Sequence, residues 1–167
     1  MPENGDDVPM NGGENREPQM AALATAYALA HYFVTIGHRE WLFGVGQPAV
    51  DIERELGAGR YLFITAWNPP SRPATTAENL AADERLQARL KEAGFSHHSA
   101  LGCNAQGGAV EYGWIVLDVP LESGDALARE FGQAGTLYWQ RGEPVRLRML
   151  SPQPAGTDEQ PHIDWAG

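Results

Sequence analysis

The most continuous apolar stretch of the chain is Tyr61 to Trp67, seven residues closed by Asn68-Pro69-Pro70. It has the length of a strand, and its lack of polar alternation predicts a central strand buried on both faces. A helix is expected next. Thr75 and Glu78 have the spacing of a capping box, Asn79 to Ala93 sets Ala82, Leu86, Leu90 and Ala93 along one stripe, and Gly94 follows as the stop.

The remaining pattern reads in the same way. Ala21 to Ala30 is alanine-rich, with Leu23, Tyr27 and Ala30 at helical spacing. Tyr32 to Ile36 and Trp41 to Val45 are β-branched and aromatic, and Gly37-His38-Arg39 joins them as a hairpin turn. Ala49 to Leu56 predicts a short helix stopped by Gly57 and Gly59. Beyond the capped helix come a strand over Phe95 to Cys103, a strand over Val110 to Val119 and a helix over Ser123 to Phe131. Thr136 to Gln140 and Val145 to Leu150 then flank Arg141-Gly142-Glu143-Pro144 as a last hairpin.

From Tyr61 onward this order is strand, helix, strand, strand, helix, strand. That is the split βαβ pattern of ferredoxin-like domains, here preceded by a helix and a hairpin. The fold class expected is α+β, with a mixed, mostly antiparallel sheet and helices mainly on one face.

Composition adds limits. The chain has 167 residues, 43% of them hydrophobic and 20% charged, which suits one globular domain. A membrane-spanning helix needs about 20 continuous apolar residues, and the best candidate, Met20 to Ile36, is interrupted by Thr25, His31 and Thr35. The net charge of −10 sits mainly in the ends: −4 over residues 1–20 and −3 over residues 151–167, leaving −3 for the rest. With no broad basic face expected, general nucleic-acid binding is excluded. Residues 1–19 and 152–167 are rich in Pro, Gly, Asn, Gln and acids, and are expected to be flexible acidic tails around a single domain over 20–151. Within the second tail, His162-Ile163-Asp164-Trp165 has the alternative of docking as a short peptide. Cys103 is the only cysteine and the N-terminus has no signal-peptide pattern, so a cytoplasmic address is expected. His97-His98 cannot face one way in a strand, and with Cys103 they make no zinc spacing, so no metal site is expected. No motif calls for a cofactor.

Candidate chemistry gathers where the apolar strand meets the capped helix. A strand's carboxyl end and a helix's amino end attract anions through free N–H groups and the helix dipole. Ser71 and Arg72 are the natural anion contacts there, with Asn68 beside them. The competing reading is a proline-stiffened loop with an ordinary cap. Asn79 falls about 20° from Leu86 on a helical wheel, inside the apolar stripe, so its amide is expected to face inward. Glu111 shares a period-two face with Ile115, Leu117 and Val119. An enclosed Glu has a raised pKa and the makings of a general base. The alternative for this pair is that Asn79 bonds a neighbouring loop and Glu111 escapes at the sheet margin. Gln133, after Phe131-Gly132, either caps the last helical carbonyls or reaches the same pocket.

Phe63-Ile64-Thr65-Ala66-Trp67-Asn68-Pro69, Ser71, Glu78-Asn79 with Arg85, Gly102, Glu111 and Phe131-Gly132-Gln133 together resemble the bacterial family known as domain of unknown function 3293. The resemblance extends over about residues 23 to 150 and carries no established activity, substrate or cofactor. It implies that Asn68, Ser71, Asn79, Glu111 and Gln133 belong to one site. Two functions are therefore expected to compete. One is a pocket for an anionic or nucleotide-like small ligand, with Glu111 as acid or base. The other is a non-catalytic protein-interaction or regulatory module.

Overall fold

A computed structural model describes residues 16–70, 74–157 and 160–167. The chain runs α1 (Arg16–Leu29), β1 (His31–Ile36), β2 (Arg39–Phe43), α2 (Val50–Leu56), β3 (Arg60–Thr65), α3 (Thr76–Ala93), β4 (His97–Cys103), β5 (Glu111–Leu117), α4 (Leu121–Glu130), β6 (Gly135–Gln140), β7 (Arg146–Met149) and β8 (Ile163–Trp165). The strands form one sheet in the order β2-β1-β4-β5-β3-β6-β7-β8. Every ladder is antiparallel except β7 with β8. The fold is α+β with a mixed, mostly antiparallel sheet.

Strand β3 occupies the centre, between β5 and β6, and five of its six residues are buried. Alternation along it feeds two cores. Tyr61 and Phe63 join a cluster with Ala24 of α1, Ile52 of α2, Tyr32, Ile115, Trp139 and Leu147. Leu62 and Ile64 join a second cluster with Leu86 and Leu90 of α3 and Ala128 of α4. Helices α3 and α4 thus share one face and α1 and α2 pack on the other, so the helices are divided between the two faces and not gathered mainly on one. A strand with no polar face must be covered on both sides, which accounts for the divided helices. Burying Leu86 and Leu90 completely stabilises the fold by about 2 kcal/mol each.

The helix caps follow the sequence. Thr75 Oγ1 accepts from Glu78 N–H at 3.1 Å, and Gly94 closes α3 in the left-handed conformation at φ 75°. The first hairpin is tighter than its sequence suggested. Ile36 pairs with Arg39, so the turn is Gly37-His38 with Gly37 at φ 63°, and β2 begins two residues earlier than Trp41. No helix among the described residues is long and apolar enough to cross a membrane.

Strand β8 lies in the stretch expected as a solvated tail, in the docked arrangement that was its alternative. Leu147 N–H donates to His162 O and Ala166 N–H to Met149 O, both at 2.8 Å. Asp164 accepts two bonds from Arg146, each of 2.7 Å.

Candidate functional site

Hydrogen bonds redirect the chain as soon as β3 ends. Thr65 Oγ1 donates to Tyr112 O at 2.6 Å and accepts from Trp67 N–H at 3.0 Å. Asn68 then takes a left-handed φ of 44°, a conformation that Asn tolerates better than most residues. Its N–H donates to Asn79 Oδ1 and its Oδ1 accepts from Asn79 Nδ2, both at 2.9 Å. The reciprocal pair clamps the loop to the first turn of α3. Asn79 is only 3% exposed, so these bonds satisfy an amide that would otherwise be buried unpaired.

The other amide of Asn68 crosses to the sheet: Nδ2 donates to Glu111 Oε1 at 3.2 Å. Gln133 approaches from the opposite side. It follows Gly132 at φ 66°, its N–H donates to Ala128 O at 2.8 Å, and its Nε2 reaches both Trp67 O (3.2 Å) and Phe131 O (3.3 Å). It therefore closes α4 and ties that helix to the loop after β3. Asn68, Asn79, Glu111 and Gln133 come together around residues 67–68, while Ser71 and Arg72 lie outside the described residues.

Glu111 opens β5 opposite Gly102, which in turn pairs with Tyr32. A Cβ on Gly102 would stand 3.0 Å from the Tyr32 ring, so glycine there makes room for the aromatic. Burial raises the pKa of the Glu111 carboxyl, and the Asn68 bond offsets part of that shift. Glu111 borders a cavity of about 30 Å³ together with Tyr27, Tyr32, Thr65 and Gln133. Burial and the nearby Glu111 charge push the Tyr27 hydroxyl up to about 12. Tyr32 is raised as well, mainly by burial, and its hydroxyl donates to Tyr27 O at 2.9 Å.

A larger groove of about 910 Å³ lies on the α3 and α4 side, walled by Ala66, Ala82, Phe131 and Gly132 and bordered by Asn79. Two arginines and three glutamates, Glu78, Glu92 and Glu130, line it. Arg89 is held by Glu130, with Nε to Oε1 at 2.9 Å, whereas Arg85 has no hydrogen-bond or ion-pair partner among the described residues. Asn79 thus borders the groove, Glu111 and Gln133 border the cavity, and Asn68 links the two sets.

These elements also carry a likeness to a known family. Residues 64–135 match a family described as protein of unknown function (DUF3293). The DUF3293 match is narrower than the resemblance over residues 23 to 150, but it contains Asn68, Asn79, Arg85, Glu111 and Gln133. Tyr27 and Tyr32 fall outside it. No curated protein and no solved structure matches the chain.

Sequence reading passed over Tyr27, Tyr32 and the unpaired state of Arg85. Tyr27 reads as one more apolar position of a helical stripe, and only the fold brings it to Glu111. Among the described residues, no three His, Cys, Asp or Glu side chains are grouped so as to hold a metal ion.

Proposed function

We propose that this chain is a small-ligand-binding domain whose groove beside α3 takes an anionic or nucleotide-like molecule. The observation that carries the reading is Arg85, a cation without a partner among the described residues that lines a groove of about 910 Å³. That volume suits a small organic ligand, and a free guanidinium binds carboxylate or phosphate through paired N–H donors. Ala66, Ala82 and Phe131 offer apolar walls for the rest of the ligand. Asn68, Asn79 and Gln133 hold the loop that shapes this end of the groove. Ser71 and Arg72 stay in the proposal as further anion contacts, from their place in sequence between Pro69 and Ala74, which both line the groove. Glu111 is the proposed acid or base for any turnover, and the bacterial cytoplasm is the proposed setting.

A thermal-shift series with nucleotides, sugar phosphates and dicarboxylates tests this, on wild type and on Arg85→Gln. At 100 times its dissociation constant a ligand adds about 2.7 kcal/mol of stability. Protection of wild type that is lost in Arg85→Gln is the expected result. If no anion protects wild type, or if Arg85→Gln is protected equally, the reading fails.

A second reading, a protein-interaction or regulatory module, is favoured by one surface feature. Leu42, Phe33, Leu101 and Tyr112 stand in register across β2, β1, β4 and β5, and Leu42 and Tyr112 are 64% and 49% exposed. Such a row suits a protein surface better than water.

A further inference from the structure

The cavity beside Glu111 has its own chemistry, separate from that of the groove. Its volume of about 30 Å³ matches the space occupied by one water molecule or by a group of that size. Phe63, Leu137 and Leu147 supply apolar wall, and Tyr27 and Tyr32 add aromatic rings. Among the described residues, the only formal charge lining it is the Glu111 carboxylate, and no Arg or Lys borders it.

Four oxygens of the residues on this wall have bonding capacity left over. Glu111 spends Oε1 on Asn68, while Oε2 has no partner among the described residues. Gln133 spends Nε2 on two carbonyls, and its Oε1, the Tyr27 hydroxyl and the buried Thr136 Oγ1 have no partner among the described residues. Glu111 and Tyr27 are half-buried, so the cavity is bordered by groups that reach solvent. An anion would meet the carboxylate at close range. An apolar group would leave several acceptors unsatisfied in a desolvated place. A primary ammonium fits each constraint: it is close to water in size, carries three N–H donors and neutralises Glu111. Aromatic rings tolerate a cation beside them.

We propose that this cavity is a subsite for the primary ammonium group of a small ligand, with Glu111 as its counter-ion and Gln133 Oε1 and the Tyr27 hydroxyl as further acceptors. It goes beyond the anion-binding reading, because it uses a different cavity and none of the groove's arginines; the two share Glu111, which that reading makes the acid or base of any turnover, and Gln133, which there holds the loop.

The probe is methylammonium chloride, compared with tetramethylammonium chloride at equal concentration, which matches charge and ionic strength but is too bulky and has no N–H. Methylammonium is expected to raise the melting temperature of the full chain above the tetramethylammonium value. Saturation transfer from the protein to the methylammonium methyl signal gives a second readout on unaltered protein. The excess shift should vanish in Glu111→Gln, shrink in Tyr27→Phe and persist in Arg85→Gln. Equal effects of the two salts, or no effect of either, would show that the cavity takes only water and would overturn the proposal. So would a methylammonium effect undiminished in Glu111→Gln, or one lost in Arg85→Gln. If Glu111→Gln fails to fold, Tyr27→Phe and the saturation-transfer comparison decide. Failure here leaves the Arg85 groove untouched, and failure of the anion series leaves the ammonium subsite untouched.

Discussion

At the scale of single residues the telling feature is the Asn68 to Asn79 clamp, because each amide supplies what the other lacks. Asn79→Ala removes the acceptor for Asn68 N–H and the donor to Asn68 Oδ1. Leaving those groups short in a part-buried site costs about 2 kcal/mol, read as a lower midpoint in urea. Asn79→Leu nearly keeps the volume and loses both bonds, so its midpoint should fall about as far as that of Asn79→Ala. A midpoint held near wild type in Asn79→Leu would mean that side-chain volume, not the bonds, matters there. The inward tendency of Asn79 was legible from its angle beside Leu86 on the wheel, and that of Glu111 from its period with Ile115. Their partners were not legible. Asn68 and Glu111 are 43 residues apart, and only the β3 to β5 ladder brings them within 3.2 Å.

Among the elements, β8 makes the clearest prediction. Asp164 grips Arg146 with two bonds, and that guanidinium holds the carboxyl below the usual carboxylate range. A carboxylate with a lowered folded pKa stabilises the fold above its unfolded value and loses that contribution as pH falls through the folded one. Asp164→Asn should therefore destabilise at pH 7 by at most about 1 kcal/mol, since both side chains are partly exposed. The gap from wild type should close in acid, below the ordinary carboxylate pKa of 3.8. Chemical denaturation of both proteins at neutral and acid pH checks it, and a gap independent of pH would contradict it. Elements with strong local signals were legible: the capped α3, the apolar β3 and the hairpins. Strand β8 was hard to read because three residues after a polar, proline-rich segment carry little pattern. Its backbone bonds to β7 and the Arg146 contact, both tertiary, place it. The two-sided helix packing was hidden for a related reason. An apolar strand announces that it is covered twice, but does not say by which helices.

At the scale of the whole molecule, one sheet separates two cores, and the question is whether they unfold together. Alternate residues of β3 belong to different clusters, Tyr61 and Phe63 to one and Leu62 and Ile64 to the other. Neither core can come apart without taking the central strand from its companion. That arrangement favours a single cooperative transition, the usual behaviour of small domains. Leu86→Ala empties a fully buried position under α3, and such truncations cost about 3 kcal/mol. Trp139 lies in the opposite core, stacked on Tyr61 with ring centroids 5.0 Å apart. If the sheet couples the two layers, Leu86→Ala, in a background that keeps only Trp139 of the five tryptophans, lowers the midpoint seen by fluorescence as much as the midpoint seen by far-ultraviolet circular dichroism. Separate midpoints, with the fluorescence transition held at its wild-type position, would show that the α1 and α2 side survives alone. The candidate site sits on the coupled part of this architecture, since Asn68 leaves the end of β3 and bonds α3 on one side and β5 on the other. A loss of packing under α3 should therefore also weaken the anion protection expected at Arg85, in proportion to the fraction of chains unfolded and no further.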